Sequence, residues 1–485
     1  MPDQPALGGG PTESIIHPAV AVGMLVAIAL IFVVPRKYAV VPVLFSIFLI
    51  PEGQQVVIGG VHWLAGRIIF LCALLSVRVT RKAPLAGGFD SIDQAFLSCV
   101  LIQAVAVVLQ FNLQSQAWIN QFGFLIDFLA GYFVLRALIQ DEDDIYRALK
   151  CMAALTVILG ICMYREQLTV QNIFGVLGGT RLIPEIREGK IRSQGVFQHS
   201  LTAGTFAAVL LPLFVLLWRN GKAKAWAALG FLGSTLMTIC SNGSTPLLGY
   251  AGGLLGIALW PVRRKMRTVR WGLVFSLVAL HLVMKAPVWF LIARVDLTGS
   301  SSGYHRAMLV DQFIRHFWDW WLMGSQNKGS WGWDLWDTQN QYVTVGETGG
   351  LGAFVFFIAM ISRCCARIGN ARKLVEGEPR EWFFWLLGAA MFANLVAFFG
   401  VNYFDQSKVG WFMLLAMISA ATAPIVRKAS EPVEAKVVHS PADDQDGGQT
   451  SSWEFTRRGG WRGRRHAPPV PVEALVGPED RLVWC

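Results

Sequence analysis

Three polar runs carry residue types that could hold an anion or move a proton. The first, Gly189-Lys190-Ile191-Arg192-Ser193-Gln194-Gly195-Val196-Phe197-Gln198-His199-Ser200, leads straight into an apolar stretch. An arginine where a helix leaves lipid either snorkels to headgroups or faces a cavity and binds an anion, and the residues leave Arg192 open between the two. The second run, Gly303-Tyr304-His305-Arg306, opens a segment with Met308, Leu309, Phe313, Phe317, Trp320 and Trp321 at the spacing of an amphipathic helix along a membrane surface. The third joins Asp337-Thr338-Gln339-Asn340 to Gly346-Glu347-Thr348-Gly349-Gly350. Glycines there let a neighbouring backbone or a ligand come close, or serve ordinary helix packing. His199, His305, Asp337 and Glu347 are the side chains among these runs that could accept a proton.

Four more ionisable residues fall in or beside apolar stretches, where charge is costly: Arg67, Asp127, Glu166 and His281. Glu166, next to a long loop, is expected to help form a pocket, and Arg67 with Asp127 to form a structural ion pair. Trp318, Trp320, Trp321, Trp331, Trp333 and Trp336 suit an interfacial belt or a platform for sugar rings.

The elements that must position these residues are membrane helices. The chain has 485 residues, 54% of them hydrophobic and 15% charged, with mean hydropathy +0.46; a soluble domain carries about 25% charged residues. Apolar runs of about 16–22 residues recur, long enough to cross as helices. They are continuous rather than alternating, which favours helices over a barrel. The expected fold is therefore all-α, a polytopic bundle of about 12–13 spans between 17 and 426; the third is expected over 56–77. The formal charge of +10 is distributed at the ends of apolar runs, so it speaks for membrane orientation and against a nucleic-acid partner. Roughly twice as many Lys and Arg fall on one side as on the other, which places the long loops 165–197 and 292–341 on the non-cytoplasmic side. Residues 1–16 read as an N-terminal tail without the basic start of a cleavable signal. Residues 427–485, rich in Pro, Gly, Ser and charge, read as a disordered cytoplasmic tail. Cysteine spacing supports no zinc site, and no metal site or cofactor is expected.

The order of features resembles the O-antigen ligase and O-antigen polymerase family of bacterial inner-membrane glycosyltransferases. The resemblance covers most of the chain from the third span to the last. Its carriers are Arg192-Ser193-Gln194-Gly195-Val196-Phe197 entering a span, Gly303-Tyr304-His305-Arg306, Gly324 to Gly329, and Gln339-Asn340 with Gly350 ten residues beyond Asn340. Many members have His-Asn where this chain has Gln339-Asn340. The resemblance implies a multi-pass protein of the bacterial inner membrane with a large periplasmic loop. There a glycan would pass from undecaprenyl diphosphate to an acceptor sugar hydroxyl, on a glycan or a lipid, with inversion and without metal. Arg192 and Arg306 would hold the donor diphosphate. Gln339 would share the catalytic position, and Asn340, His199, His305, Glu166 and Gly350 would line the substrate site. Membrane lipids would be the other partners. An amide at 339 has no useful basicity, so His305, Glu347, Asp337 and His199 stand as alternative bases. Two other expectations remain: a transporter or flippase of lipid-linked polysaccharide, and a non-catalytic assembly partner.

Overall fold

Without water to pair the backbone, a continuous apolar run satisfies itself as a helix, and each apolar stretch of this chain carries one. The structure is a computed structural model and describes residues 14–58, 61–294, 302–326, 328–332, 335, 337–430, 454–455 and 461–462. The first half runs α1 (Pro18–Val33), α2 (Arg36–Leu49), β1 (Gln55–Ile58), β2 (Val61–Leu64), α3 (Ala65–Leu75), α4 (Ser91–Gln110), α5 (Ser115–Leu125), α6 (Gly131–Leu138) and α7 (Glu142–Thr169). There follow β3 (Glu185–Arg187), β4 (Lys190–Arg192), α8 (Ser200–Val209), α9 (Leu211–Arg219), α10 (Lys224–Cys240), α11 (Ser244–Ala258) and α12 (Met266–Val283). The last part holds α13 (Ser302–Arg315), α14 (Phe317–Trp320), α15 (Gln341–Leu374), α16 (Glu381–Ala397), α17 (Ser407–Ser430), β5 (Glu454–Phe455) and β6 (Trp461–Arg462).

The protein is mostly helical. Among the described residues, seven helical runs are long and apolar enough to cross a membrane: Ser91–Gln110, Ser115–Leu138, Glu142–Thr169, Ser200–Arg219, Trp260–Val283, Gln341–Leu374 and Ser407–Ile425. Together with shorter apolar helices such as α1, α10 and α16 they point to a membrane protein. The pairs α4 with α15, α7 with α10 and α11 with α16 make the most extensive contacts. Around them Phe96 stacks on Tyr132 at 4.1 Å with Phe412 edge-on, and Phe48 stacks on Phe206 at 4.6 Å. α12 stands outside this packing, with none of its residues buried.

One expectation is corrected at the N-terminal side. The stretch 56–77 is not one helix: its first part is the antiparallel hairpin β1–β2, and the helix starts at Ala65. Val56, Val57, Ile58 and Val61 flank Gly59-Gly60 in the sequence, a combination that favours a two-residue hairpin over a helix. The tail 1–16 is tied down where it is described. Ile15 pairs with Gln55 through bonds of 2.9 and 2.8 Å, and the Ser14 hydroxyl accepts from the Val57 N–H. At the other terminus α17 reaches Ser430, and β5 and β6 pair antiparallel; the rest of the expected tail 427–485 lies outside the described residues.

The bundle has two chemically distinct ends. At one, short connections are laced by arginine–carboxylate pairs: Arg36 with Asp144 at 2.7 Å, Arg263 and Arg372 each with Glu381 at 2.9 Å, and Arg367 with Asp90. Beneath them the fully buried Arg136 grips Asp93 through two bonds of 2.8 and 2.9 Å, and Asp93 also accepts the Tyr132 hydroxyl at 2.6 Å. At the other end the long loops meet. Gln54 donates to the carbonyls of Leu177 and Gly178, Ser193 to that of Cys240, and the Gln341 N–H to that of Phe398. The amphipathic helix expected from Arg306 onward is α13, continued by α14. Its apolar side packs on protein as a small core of Leu309, Phe313, Trp320, Trp331, Leu335 and Val343.

Candidate functional site

The hairpin β3–β4 sets the geometry of the site. Its turn residues Glu188 and Gly189 both have positive φ, 53° and 74°, the left-handed pair that a tight two-residue turn needs and that glycine at the second position allows. The register then pairs Glu185 directly with Arg192. After Arg192 the chain is pinned from several sides. The Ser193 hydroxyl donates to the Met163 carbonyl at 3.0 Å and Asn172 to the Gly195 carbonyl at 2.6 Å, while Val196 and Phe197 are fully buried. Glu166, itself buried, accepts the Gln194 N–H at 3.1 Å and the Gly195 N–H at 2.9 Å.

Held in this way, Arg192 is 7% exposed. Its Nη1 lies 3.3 Å from both oxygens of Glu185, long for a charge-assisted bond, and its buried Nε has no hydrogen-bond partner. His199 caps α8, its Nδ1 accepting the Leu201 N–H at 3.1 Å. That bond leaves the proton of the neutral ring on Nε2, which faces Glu185 at 3.7 Å. Burial pushes His199 below its ordinary pKa and Arg192 pushes the same way, against Glu185, Asp337 and Asp405. Burial likewise lowers Arg192, with Glu185 opposing.

Asp337 brings Gln339 to this group, since the Gln339 amide donates to it at 2.6 Å. Asp405 closes it from the turn before α17: one oxygen takes the Thr202 hydroxyl at 2.6 Å and the Gln198 N–H at 3.2 Å, the other the Ser407 N–H at 2.9 Å. The structure thus gathers Arg192, His199, Glu185, Asp337 with Gln339, and Asp405 at the loop end. Arg306, 5% exposed, and His305 come from α13, which packs on the turn Val288–Arg294 and on α15.

Three residues expected to line the site hold its frame. Glu166 grips the Arg192 loop through its backbone. Asn340 caps α15, accepting the N–H groups of Tyr342 and Val343 at 3.0 and 3.2 Å. Gly350 breaks α15 with φ 68° and ψ −171°, and a Cβ there would meet the Leu322 carbonyl oxygen at 2.6 Å. Opposite it Gly324, φ 85°, lets the Ser325 N–H reach the Glu347 carbonyl at 2.8 Å. These two glycines stitch the 317–326 segment to α15. The carboxylate of Glu347 is buried on the Thr338 hydroxyl at 2.7 Å.

Glu185 and Asp405 escaped the sequence reading. Glu-Gly between short β-prone segments is a hairpin signal that would have placed Glu185 opposite Arg192. An acidic residue two before the first turn of the last span is an N-cap signal for Asp405. A second polar group lies around a small cavity of about 30 Å³ lined by Glu52, Arg67, Asp127 and Lys408. Arg67 grips Asp127 through bonds of 3.0 and 2.8 Å, the expected ion pair, and Lys408 meets Glu52 at 3.1 Å. Asp127 sits in a π-helical turn, Ile126–Ala130, and Gly123 leaves the room that the Arg67 guanidinium fills. Among the described residues, no cluster of three His, Cys, Asp or Glu side chains is placed to hold a metal ion.

No protein-family model matches the chain, and no curated protein is significantly similar to it.

Proposed function

We propose that the protein is a glycosyltransferase of the bacterial inner membrane. It moves a glycan from undecaprenyl diphosphate to an acceptor hydroxyl at the periplasmic face, in the manner of O-antigen ligases and polymerases. The observation that carries this reading is Arg192: a buried guanidinium with its Nε–H unpaired and its Nη1 loosely held by Glu185. A buried donor without a partner costs about 1–3 kcal/mol, and an anion entering beside it removes that cost. A departing diphosphate is such an anion, and its charge grows as the bond to the anomeric carbon breaks, so the interaction favours the transition state over the ground state.

In this mechanism the acceptor hydroxyl attacks the anomeric carbon on the face opposite the diphosphate, and the configuration inverts. Arg192 and Arg306 take the charge of the leaving group, while Gln339, already bonded to Asp337, orients a hydroxyl that an amide cannot deprotonate.

The test is transfer by the purified protein in detergent from an undecaprenyl-diphosphate-linked glycan, comparing wild type with Arg192→Lys and Arg306→Lys. Lysine keeps the charge and loses the paired donors, so turnover is expected to fall at least tenfold in both. A transporter that reads charge alone keeps its flux in these variants; turnover unchanged by both, or absent from the wild type, overturns the assignment.

A further inference from the structure

Among the described acids and imidazoles around Arg192, all but one are engaged by neighbours other than its guanidinium. His199 has Nδ1 occupied by the Leu201 N–H and its ring proton on Nε2, so neither nitrogen of the neutral ring is open to take another. Asp405 spends both oxygens on Gln198, Thr202 and Ser407. Asp337 is bound by the Gln339 amide at 2.6 Å, and Glu347 is buried on Thr338. Glu166 is spent on two backbone N–H groups. Glu185 is the exception. Its side chain is 34% exposed, its contacts with Arg192 are long, and His199 lies at 3.7 Å, beyond hydrogen-bond range.

We infer that Glu185 is the proton acceptor of the transfer, held by Arg192 in the empty site and released when the donor diphosphate takes the guanidinium. The inference rests on the proposed glycosyltransferase reading. Glu185 sits on Nη1, while the unpaired Nε–H opens on the neighbouring edge it shares with Nη2, the edge that a diphosphate oxygen pair would grip side-on, so both anions draw on one guanidinium charge. Carboxylate and diphosphate therefore compete for Arg192. When the diphosphate wins, Glu185 loses its cation and accepts a proton more readily. The step then balances within the site. The acceptor oxygen forms its bond to the anomeric carbon, the bond from that carbon to the diphosphate oxygen breaks, the electron pair leaves with the diphosphate, and the hydroxyl proton passes to Glu185. The hairpin makes this arrangement specific, because sliding the register by one residue would send Glu185 to the opposite face.

Competition and proton transfer predict opposite effects of one substitution. Glu185→Gln removes the competing charge, so farnesyl diphosphate and inorganic pyrophosphate, measured by calorimetry on the purified protein, are expected to bind about two- to fivefold tighter. The same variant is expected to lose about a hundredfold or more in turnover, the usual contribution of a general base. Arg192→Gln should weaken both probes, and thermal unfolding in the same detergent checks that each variant is folded. Unchanged or weaker binding in Glu185→Gln overturns the competition; tighter binding with unchanged turnover overturns the role as base. If the wild type transfers no glycan, the proposed function has failed and the base role with it, while the binding measurement still decides whether Glu185 and an anion compete for Arg192.

Discussion

Replacing Glu166 by glutamine changes one atom and tests whether the Arg192 loop is positioned from beneath. The carboxylate accepts two backbone N–H groups, from Gln194 at 3.1 Å and Gly195 at 2.9 Å, in a buried place. An amide offers one oxygen to those two donors, and its NH2 confronts the other N–H. A hydrogen bond to a charged group contributes about 1.5–3 kcal/mol, and one of the two is lost with a buried donor left unpaired. If that cost falls on the loop conformation that presents Arg192, the apparent affinity for pyrophosphate drops by about 10- to 150-fold. Calorimetry with pyrophosphate measures this directly, and thermal unfolding in the same detergent shows how much of the loss is global. Glu166→Ala, which leaves both N–H groups unpaired, should be worse than Glu166→Gln. A Glu166→Gln protein that binds pyrophosphate like the wild type would refute the view that this carboxylate acts through the loop.

The remaining predictions concern the frame and the histidine. Gly350→Ala puts a Cβ 2.6 Å from the Leu322 carbonyl at a backbone conformation reserved for glycine. It should cost about 1–3 kcal/mol from the backbone alone and open the 317–326 segment to protease, and protection equal to the wild type would count against the stitch. His199 is held below its ordinary value by burial and by Arg192. As pH falls below about 6.5 the unfolded chain takes up a proton before the folded one does. Stability is therefore lost on acidification from about pH 6.5 down through the lowered folded value, and His199→Gln should flatten this part of a melting-temperature profile. A profile that His199→Gln leaves unchanged would show that the ring titrates freely.

Much of the helical architecture was legible because a long, continuous apolar run leaves a backbone few ways to pair. A run such as Ser91–Gln110 or Ser200–Arg219 has one way to satisfy its backbone, so composition and length predict the helix without knowledge of its neighbours. The Arg67–Asp127 pair was legible for a related reason, since a charge in such a run needs a partner. The hairpin at 55–64 was missed because its apolar residues look the same to a hydropathy window whether they alternate across a strand or face lipid. The amphipathic segment after Arg306 was readable as a helix, but its partner was not: the spacing shows an apolar face and not whether lipid or the Gly346 region of α15 covers it.

The sequence alone determined which residues could meet an anion, because guanidinium chemistry belongs to the side chain wherever it lies. Only the tertiary structure decided which of them are presented and which support. Glu166, Asn340 and Gly350 have the chemistry or spacing of site residues, yet their polar atoms or backbone angles are consumed in holding loops. Glu185, unremarked in the chain, becomes the carboxylate opposite Arg192 because a two-residue turn fixes the register. Side-chain chemistry is local and can be read from composition and order. Availability depends on which hydrogen bonds are already made, and several of those, such as Glu166 to the Gln194 and Gly195 N–H groups and Asp405 to Thr202, join residues distant in the chain.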